Sequence, residues 1–322
     1  MTTQTETLSL PKITSPREML STSEIVGRLS DTMCGVSLHL KQWRTNKGLN
    51  NQQRETMADA FGAVNQSVSG SKKLINTKNE SYRAVGRVFN EAYAFWQYHS
   101  IPYPQHGMRL QKKSSVSEFR QQFVQFQNRM TLAVDDLERE LPSLMEEQKV
   151  ALGRLYSVAD YPRSVSGLYE LSFDISDINP PSYLAQMEPE LFAEQMERAQ
   201  ERIQHSISLL ENEFLKDMNT VVESLVNGLS KTEGGKRKSL RDTSVNRLNE
   251  FFSRVNELNL NSSGQINSLI GRARDAMAGR QLTDLKNDDS TREDVKTQLE
   301  KVKKEVALMI ETRTGRQFEL AD

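Results

Sequence analysis

Few of the side chains that could do chemistry stand close together in this sequence. Its 322 residues include four histidines, His39, His99, His106 and His205, and a single cysteine, Cys34. No two histidines stand at i, i+4, the spacing that puts two imidazoles on one helix face for zinc. His99 and His106 flank Ile101-Pro102-Tyr103-Pro104 and could approach each other, but no cysteine or acidic cluster beside them completes a ligand set. Cys34 has no neighbouring histidine or basic residue to depress its pKa, so a buried, inert thiol is expected. A lone cysteine also excludes an intrachain disulfide framework and points to a reducing compartment, here taken as the cytoplasm. A phosphate loop needs Gly, four residues, then Gly-Lys-Ser/Thr between a strand and a helix. Here Gly228 and Gly234 stand six apart, Lys236 is followed by Arg237, and the preceding pattern is helical. The acidic run Asp135-Asp136-Leu137-Glu138-Arg139-Glu140 places carboxylates around an apolar helix position, which describes a solvated helix face. With no Gly-x-Ser-x-Gly elbow either, the expectation is a non-enzyme with no metal and no cofactor.

The basic residues carry the more distinctive pattern. Lys231 to Arg254 holds seven Lys/Arg against three acids, and Lys236, Arg237 and Lys238 form a candidate contact for an anionic partner. The formal net charge of −1 conceals strong segregation. Residues 1–130 carry 17 Lys+Arg against 9 Asp+Glu, residues 131–230 carry 7 against 19, and residues 231–322 carry 18 against 15. Opposed patches of this kind pair segments within a molecule or steer partners, whereas a simple nucleic-acid binder is basic along a continuous face.

The elements that would position these residues follow from periodicity. Residues 1–20 have the composition of a flexible tail and contain no apolar signal-peptide core. Ser21-Thr22-Ser23-Glu24 opens a short helix carrying Ile25, Val26 and Leu29. Val36, Leu38 and Leu40 then alternate with polar residues in a strand over 33–43. Asn46-Lys47-Gly48 has turn chemistry, a helix covers 51–66, and Gly70-Ser71-Lys72-Lys73 breaks the pattern. Tyr82, Val85, Phe89, Ala92, Phe95 and Trp96 mark a helix over 79–98, stopped by Pro102 and Pro104. The aromatic group Phe89, Tyr93, Phe95, Trp96, Tyr98 and Tyr103 forms a small core at that helix end. Ser115-Val116-Ser117-Glu118 is a capping box opening a helix with a Phe119–Leu141 stripe, kinked at Pro142 and resuming to about 156. Tyr169, Leu171, Phe173 and Ile175 define a strand over 168–175.

Residues 184–230 repeat apolar positions from Phe192 to Leu225 at three-or-four spacing, a rod of about 65–70 Å if continuous. Further helices are expected at 240–259, 265–279 and 291–313, the last carrying Val295, Leu299, Val302, Val306 and Met309. The longest terminal apolar run, Val306–Ile310, is far short of the roughly 18 residues that span a bilayer. A membrane-active rod is therefore a remote alternative.

The strand running into Trp43, the Gly70-Ser71-Lys72-Lys73-Leu74 break, the helix ending Phe95-Trp96 before Ile101-Pro102-Tyr103, the Phe119–Leu141 helix and the strand around Phe173 together resemble an uncharacterised family. It is a domain of unknown function carried by bacteriophages, plasmids and some bacteria, often encoded beside MoxR-type AAA+ ATPases and von Willebrand factor A domain proteins. The resemblance spans residues 30–230 and implies a mainly helical protein working with an AAA+ motor; it supplies no catalytic residues.

The resulting expectation is a mainly α (α+β) fold, with long antiparallel helices or a coiled-coil hairpin and a small two- or three-stranded sheet. Its organisation is a tail at 1–20, a helical domain with sheet and rod at 21–230, and a helical segment at 231–322. The expected function is non-enzymatic interaction or assembly, with the 192–225 seam as docking surface for self-association or for an AAA+ or von Willebrand A partner. A nucleic-acid-associated phage factor is the alternative.

Overall fold

The structure is a computed structural model describing residues 29, 31–258, 264–278, 280 and 282–319. The tail at 1–20, the helix start at Ile25 and Val26, and the expected helix ends at 259 and 279 lie outside the described residues. The elements are β1 (Met33–Lys41), β2 (Asn46–Gly48), α1 (Asn51–Phe61), β3 (Ser71–Lys73), α2 (Glu80–Tyr98), β4 (Ile101–Pro102), β5 (Met108–Lys112) and α3 (Val116–Leu152). They continue with β6 (Glu170–Ser176), α4 (Leu184–Met187), α5 (Pro189–Leu229), α6 (Asp242–Leu258), α7 (Gly264–Met277), α8 (Leu282–Asn287) and α9 (Asp289–Glu319). The protein is mainly helical, with a small antiparallel sheet.

The described strands form a four-stranded sheet in the order β4-β5-β1-β6 and a separate β2-β3 pair, more strand than the two or three expected. The expected turn at 46–48 and break at 70–73 pair with each other, Asn46 opposite Lys73 and Gly48 opposite Ser71. Their residues are polar and turn-prone, so the strand state comes from cross-strand pairing and not from propensity.

The chain divides into two compact units. Unit 1 takes the described parts of 1–35, 98–112 and 177–322, and unit 2 takes 36–97 and 113–176. Residue 230 therefore lies inside unit 1, and the chain passes between the units after Gly35 in β1 and again after residues 97, 112 and 176.

Unit 1 is built on α5, whose 41 residues extend about 60 Å. Pro189 stands at its first turn, where a missing amide costs nothing. Burial begins at Ala199 and broadens toward the C-terminal half, where Phe214, Leu215, Met218, Val222, Leu225, Val226 and Leu229 are all covered. The helix therefore presents a wide face, not the narrow seam its spacing describes. Residues of α6, α7 and α9 cover that face, including Phe252, Leu248, Ile270, Leu299 and Val306. Helix α9 runs antiparallel to α5, since Arg292 reaches Leu229 O, Lys303 pairs with Glu223 and Arg313 with Glu211. The two helices are not consecutive in the chain; α6, α7 and α8 lie between them.

Unit 2 has a different core, centred on α2, α3 and β6. Phe119 and Phe123 stack at 5.7 Å, and Phe173 meets both edge-on at 5.2 and 4.8 Å. Phe95 stacks on Phe119, and the Trp96 indole donates to Val36 O at 3.2 Å. Helix α3 runs through Pro142 without interruption to Leu152 and gives way to a 3-10 turn at Gly153–Leu155. The expected capping box does not form: Ser115 has helical dihedrals and its side chain caps no amide.

Candidate functional site

The basic triplet lies in a tight antiparallel turn of unit 1. Lys231 bridges Arg237, Thr232 N donates to Lys236 O at 2.7 Å, and Gly235 takes a left-handed φ of 75° that favours glycine. Of the three residues, Arg237 is occupied. Its Nε donates to Asp289 Oδ1 at 2.7 Å and its Nη1 to the carbonyls of Lys286 and Asn287, ending α8. Asp289 is drawn below the ordinary aspartate value by this Arg237 hydrogen bond. Lys236 and Lys238 are exposed, with no side-chain partner among the described residues.

Three other arginines are buried, Arg109, Arg254 and Arg292, of which only Arg254 belongs to the basic stretch 231–254. Arg109 forks onto Glu213 through two 3.1 Å bonds and donates through Nε to Ser100 Oγ at 2.8 Å. Arg254 donates to Glu213 at 2.8 Å and to Asp217, with its guanidinium over the rings of Tyr98 and Phe214. Burial raises the Asp217 carboxyl above its ordinary value despite the adjoining Arg254. Arg292, 2% exposed, has carbonyls as partners: Leu229 O at 2.8 Å, Leu285 O at 2.9 Å, Lys238 O at 2.6 Å and Gly228 O. Gly228 and Leu229 are the last residues of α5, so a cation there satisfies orphan carbonyls and meets the negative end of the helix dipole. These side chains hold unit 1 together.

Several histidines and acids of the sequence reading have partners within the fold. His39 Nε2 lies 3.0 Å from Asp174, and His99 Nδ1 lies 2.8 Å from Glu257. Cys34 is buried, its Sγ 3.5 Å from Gln111 O. In the acidic run, Arg139 pairs with Asp136, Glu138 accepts from Val165 N at 2.5 Å, and Glu140 accepts from Asn79 Nδ2 at 3.0 Å. Among the described residues no group of three His, Cys, Asp or Glu is placed to hold a metal ion. No described helix is long and apolar enough to cross a membrane.

The site that sequence spacing did not indicate is apolar and belongs to unit 2. Phe61, Val64, Val150 and Val158 are 79, 68, 85 and 67% exposed, and Met57 and Leu155 are also exposed. Long-range hydrogen bonds tie the first turn of α1 and strand β3 to the C-terminal end of α3 and the turn after it. Gln53 Nε2 and Lys72 Nζ both donate to Leu155 O, at 3.3 and 2.6 Å, and Gln148 Nε2 donates to Lys73 O at 2.9 Å. Lys72, itself buried, is anchored by Asp160 at 2.7 Å. The clue in the sequence is helix α1, where Ala58 is the buried residue and Met57 and Phe61, at i, i+4, remain on an uncovered face.

No family model, curated protein or solved structure matches the chain.

Proposed function

We propose that the protein is a non-enzymatic interaction protein whose docking surface is the apolar end of unit 2. The observation that carries this reading is the exposure of Phe61, Val64, Val150 and Val158 on segments tied together by the Lys72 and Gln53 bonds to Leu155. Exposed large apolar side chains on segments held together mark an association site more often than isolated ones do. The seam of α5 is less suited to that purpose, because α6, α7 and α9 cover it from Ala199 onward.

The partner is a protein, since the surface offers several large exposed apolar side chains. The resemblance in residues 30–230 favours a MoxR-type AAA+ ATPase or its von Willebrand A companion, in the cytoplasm of a cell hosting a phage or plasmid. Unit 1 serves as the stiff scaffold, with α5 and α9 as an antiparallel coiled-coil pair.

Co-purification with the products of adjacent genes, with and without Phe61→Asp and Val158→Asp, tests the proposal. A complex lost in both variants supports it. A wild-type chain that is monomeric by light scattering and captures neither gene product overturns it. DNA or RNA binding that weakens steeply with salt and is lost in Lys236→Ala/Lys238→Ala would favour the alternative nucleic-acid role instead.

A further inference from the structure

We propose that unit 2 also binds a small organic anion, one joining a carboxylate or phosphate group to an aromatic or apolar body, in a cleft along the first half of α2. The cleft has a volume of about 300 Å³, and its lining includes Tyr82, Arg83, Val85, Gly86, Arg87 and Tyr169. That is the size of a small-molecule pocket at the lower end of the usual range.

Arg83 and Arg87 stand at i, i+4 and so share one face of the helix. Their direct contacts differ. Arg87 pairs with Glu80 at 2.7 Å, whereas the Arg83 guanidinium has no hydrogen bond or ion pair among the described residues. Between them stands Gly86, and a Cβ built there meets nothing within 4 Å. A glycine inside a helix lowers helix stability, and here the missing side chain leaves the space between the two arginines open. Across from them, the Tyr169 hydroxyl is buried without a hydrogen-bond partner. Burial raises its pKa, so it stays a protonated donor at neutral pH. Its ring packs against Phe89 at 6.4 Å, which holds it in place.

The arrangement offers one guanidinium with no direct hydrogen bond or ion pair, one unused phenol donor, and the apolar walls of Val85 and the tyrosine rings. An oxyanion accepts from both donors, and a guanidinium binds carboxylate and phosphate alike through its planar fork. An attached apolar or aromatic body fills the volume beside Gly86. A bare ion would leave that volume empty.

Isothermal titration of the full chain with inorganic phosphate, adenosine 5′-monophosphate and 4-hydroxybenzoate tests the site, the last two separating phosphate from carboxylate ligands. Either organic probe is expected to bind one to one and about tenfold tighter than inorganic phosphate. Arg83→Gln and Gly86→Leu should each weaken that binding about tenfold or more, by removing the charge and by filling the space. Tyr169→Phe should weaken it about threefold. Arg83 is exposed and leucine favours helix, so both main variants retain the fold, which circular dichroism verifies. The proposal is overturned if neither organic probe binds saturably, if inorganic phosphate binds equally well, or if Arg83→Gln binds like the wild type. None of these outcomes bears on the apolar end of unit 2, which is tested separately by protein capture.

Discussion

The two units solve the same problem, burying polar groups inside a lightly apolar chain, in opposite ways. Unit 1 packs aliphatic helix faces and brings in arginines wherever helix ends or acids need a donor. Arg292 closes the end of α5, and Arg109 and Arg254 converge on Glu213. Unit 2 packs phenylalanine rings against one long helix, and its buried cation, Lys72, pins a polar β2-β3 pair to the turns after α3. Arginine suits the first setting because five donors in a planar fork satisfy several carbonyls at once. Lysine suits the second because a single ammonium meets one carboxylate and one carbonyl. In unit 1 the longest helix is covered from Ala199 onward, whereas unit 2 leaves Phe61, Val64, Val150 and Val158 exposed.

The comparison can be broken most sharply at Arg292. Arg292→Met leaves buried carbonyls at the end of α5 unpaired, and a loss of about 3–5 kcal/mol is expected in urea unfolding. A cost below about 1 kcal/mol would show that solvent, and not Arg292, satisfies that helix end. Next in size, Lys72→Met strands Asp160 and should cost about 2–4 kcal/mol. Hydrogen exchange locates the effect: protection should fall at the β2-β3 amides and stay unchanged in α5 and α9. Equal loss in both units would erase the distinction drawn between them.

Smaller effects separate the acids by the sign of their pH dependence. Asp217 titrates above its ordinary 3.8 in the fold, so the native state holds the extra proton. Its contribution is full at low pH and fades as pH rises through the folded value. Asp217→Asn should flatten the decline in melting temperature just above pH 3.8. Asp288 behaves oppositely, because its side chain accepts from the Thr291 hydroxyl and from the amides of Ser290 and Thr291, which lowers its pKa. Its contribution is present above 3.8 and lost as pH falls through the lower folded value. Asp288→Ala, removing this cap of α9, should lower the melting temperature slightly near neutrality and not at all in strong acid. A shift that persists in strong acid would mean the side chain acts by packing, not as an ionised cap.

The helices were largely legible from spacing. The Val295, Leu299, Val302 and Val306 stripe is buried as its period requires, although α9 starts at Asp289, capped by Asp288, and not at 291. The strands were legible only where residues alternate, as around Leu171 and Phe173. Even there, burial fades along β1, so that Leu40 is exposed where alternation placed it inward. The β2-β3 pair was not legible, because it depends on a partner distant in sequence. The Ser115 cap is lost because a 3-10 turn at Lys113–Ser115 gives that residue helical dihedrals. The candidate sites fared likewise. Lys236, Arg237 and Lys238 look equivalent in sequence, but only Arg237 has Asp289 and two carbonyls within reach.

By itself, then, the sequence determined the mainly helical character, the long amphipathic segments and the poverty of metal-ligand spacings. These depend on residue type and on neighbours three or four positions away. Only the tertiary structure decided which apolar face is covered, which arginine is spent inside the fold, and where Phe61, Val158 and the cleft beside Gly86 remain open. Those outcomes depend on which segments meet across a hundred residues or more, as Gln53 meets Leu155 and Arg109 meets Glu213. Local periodicity carries no record of such meetings, since a covered stripe and an uncovered one have the same spacing.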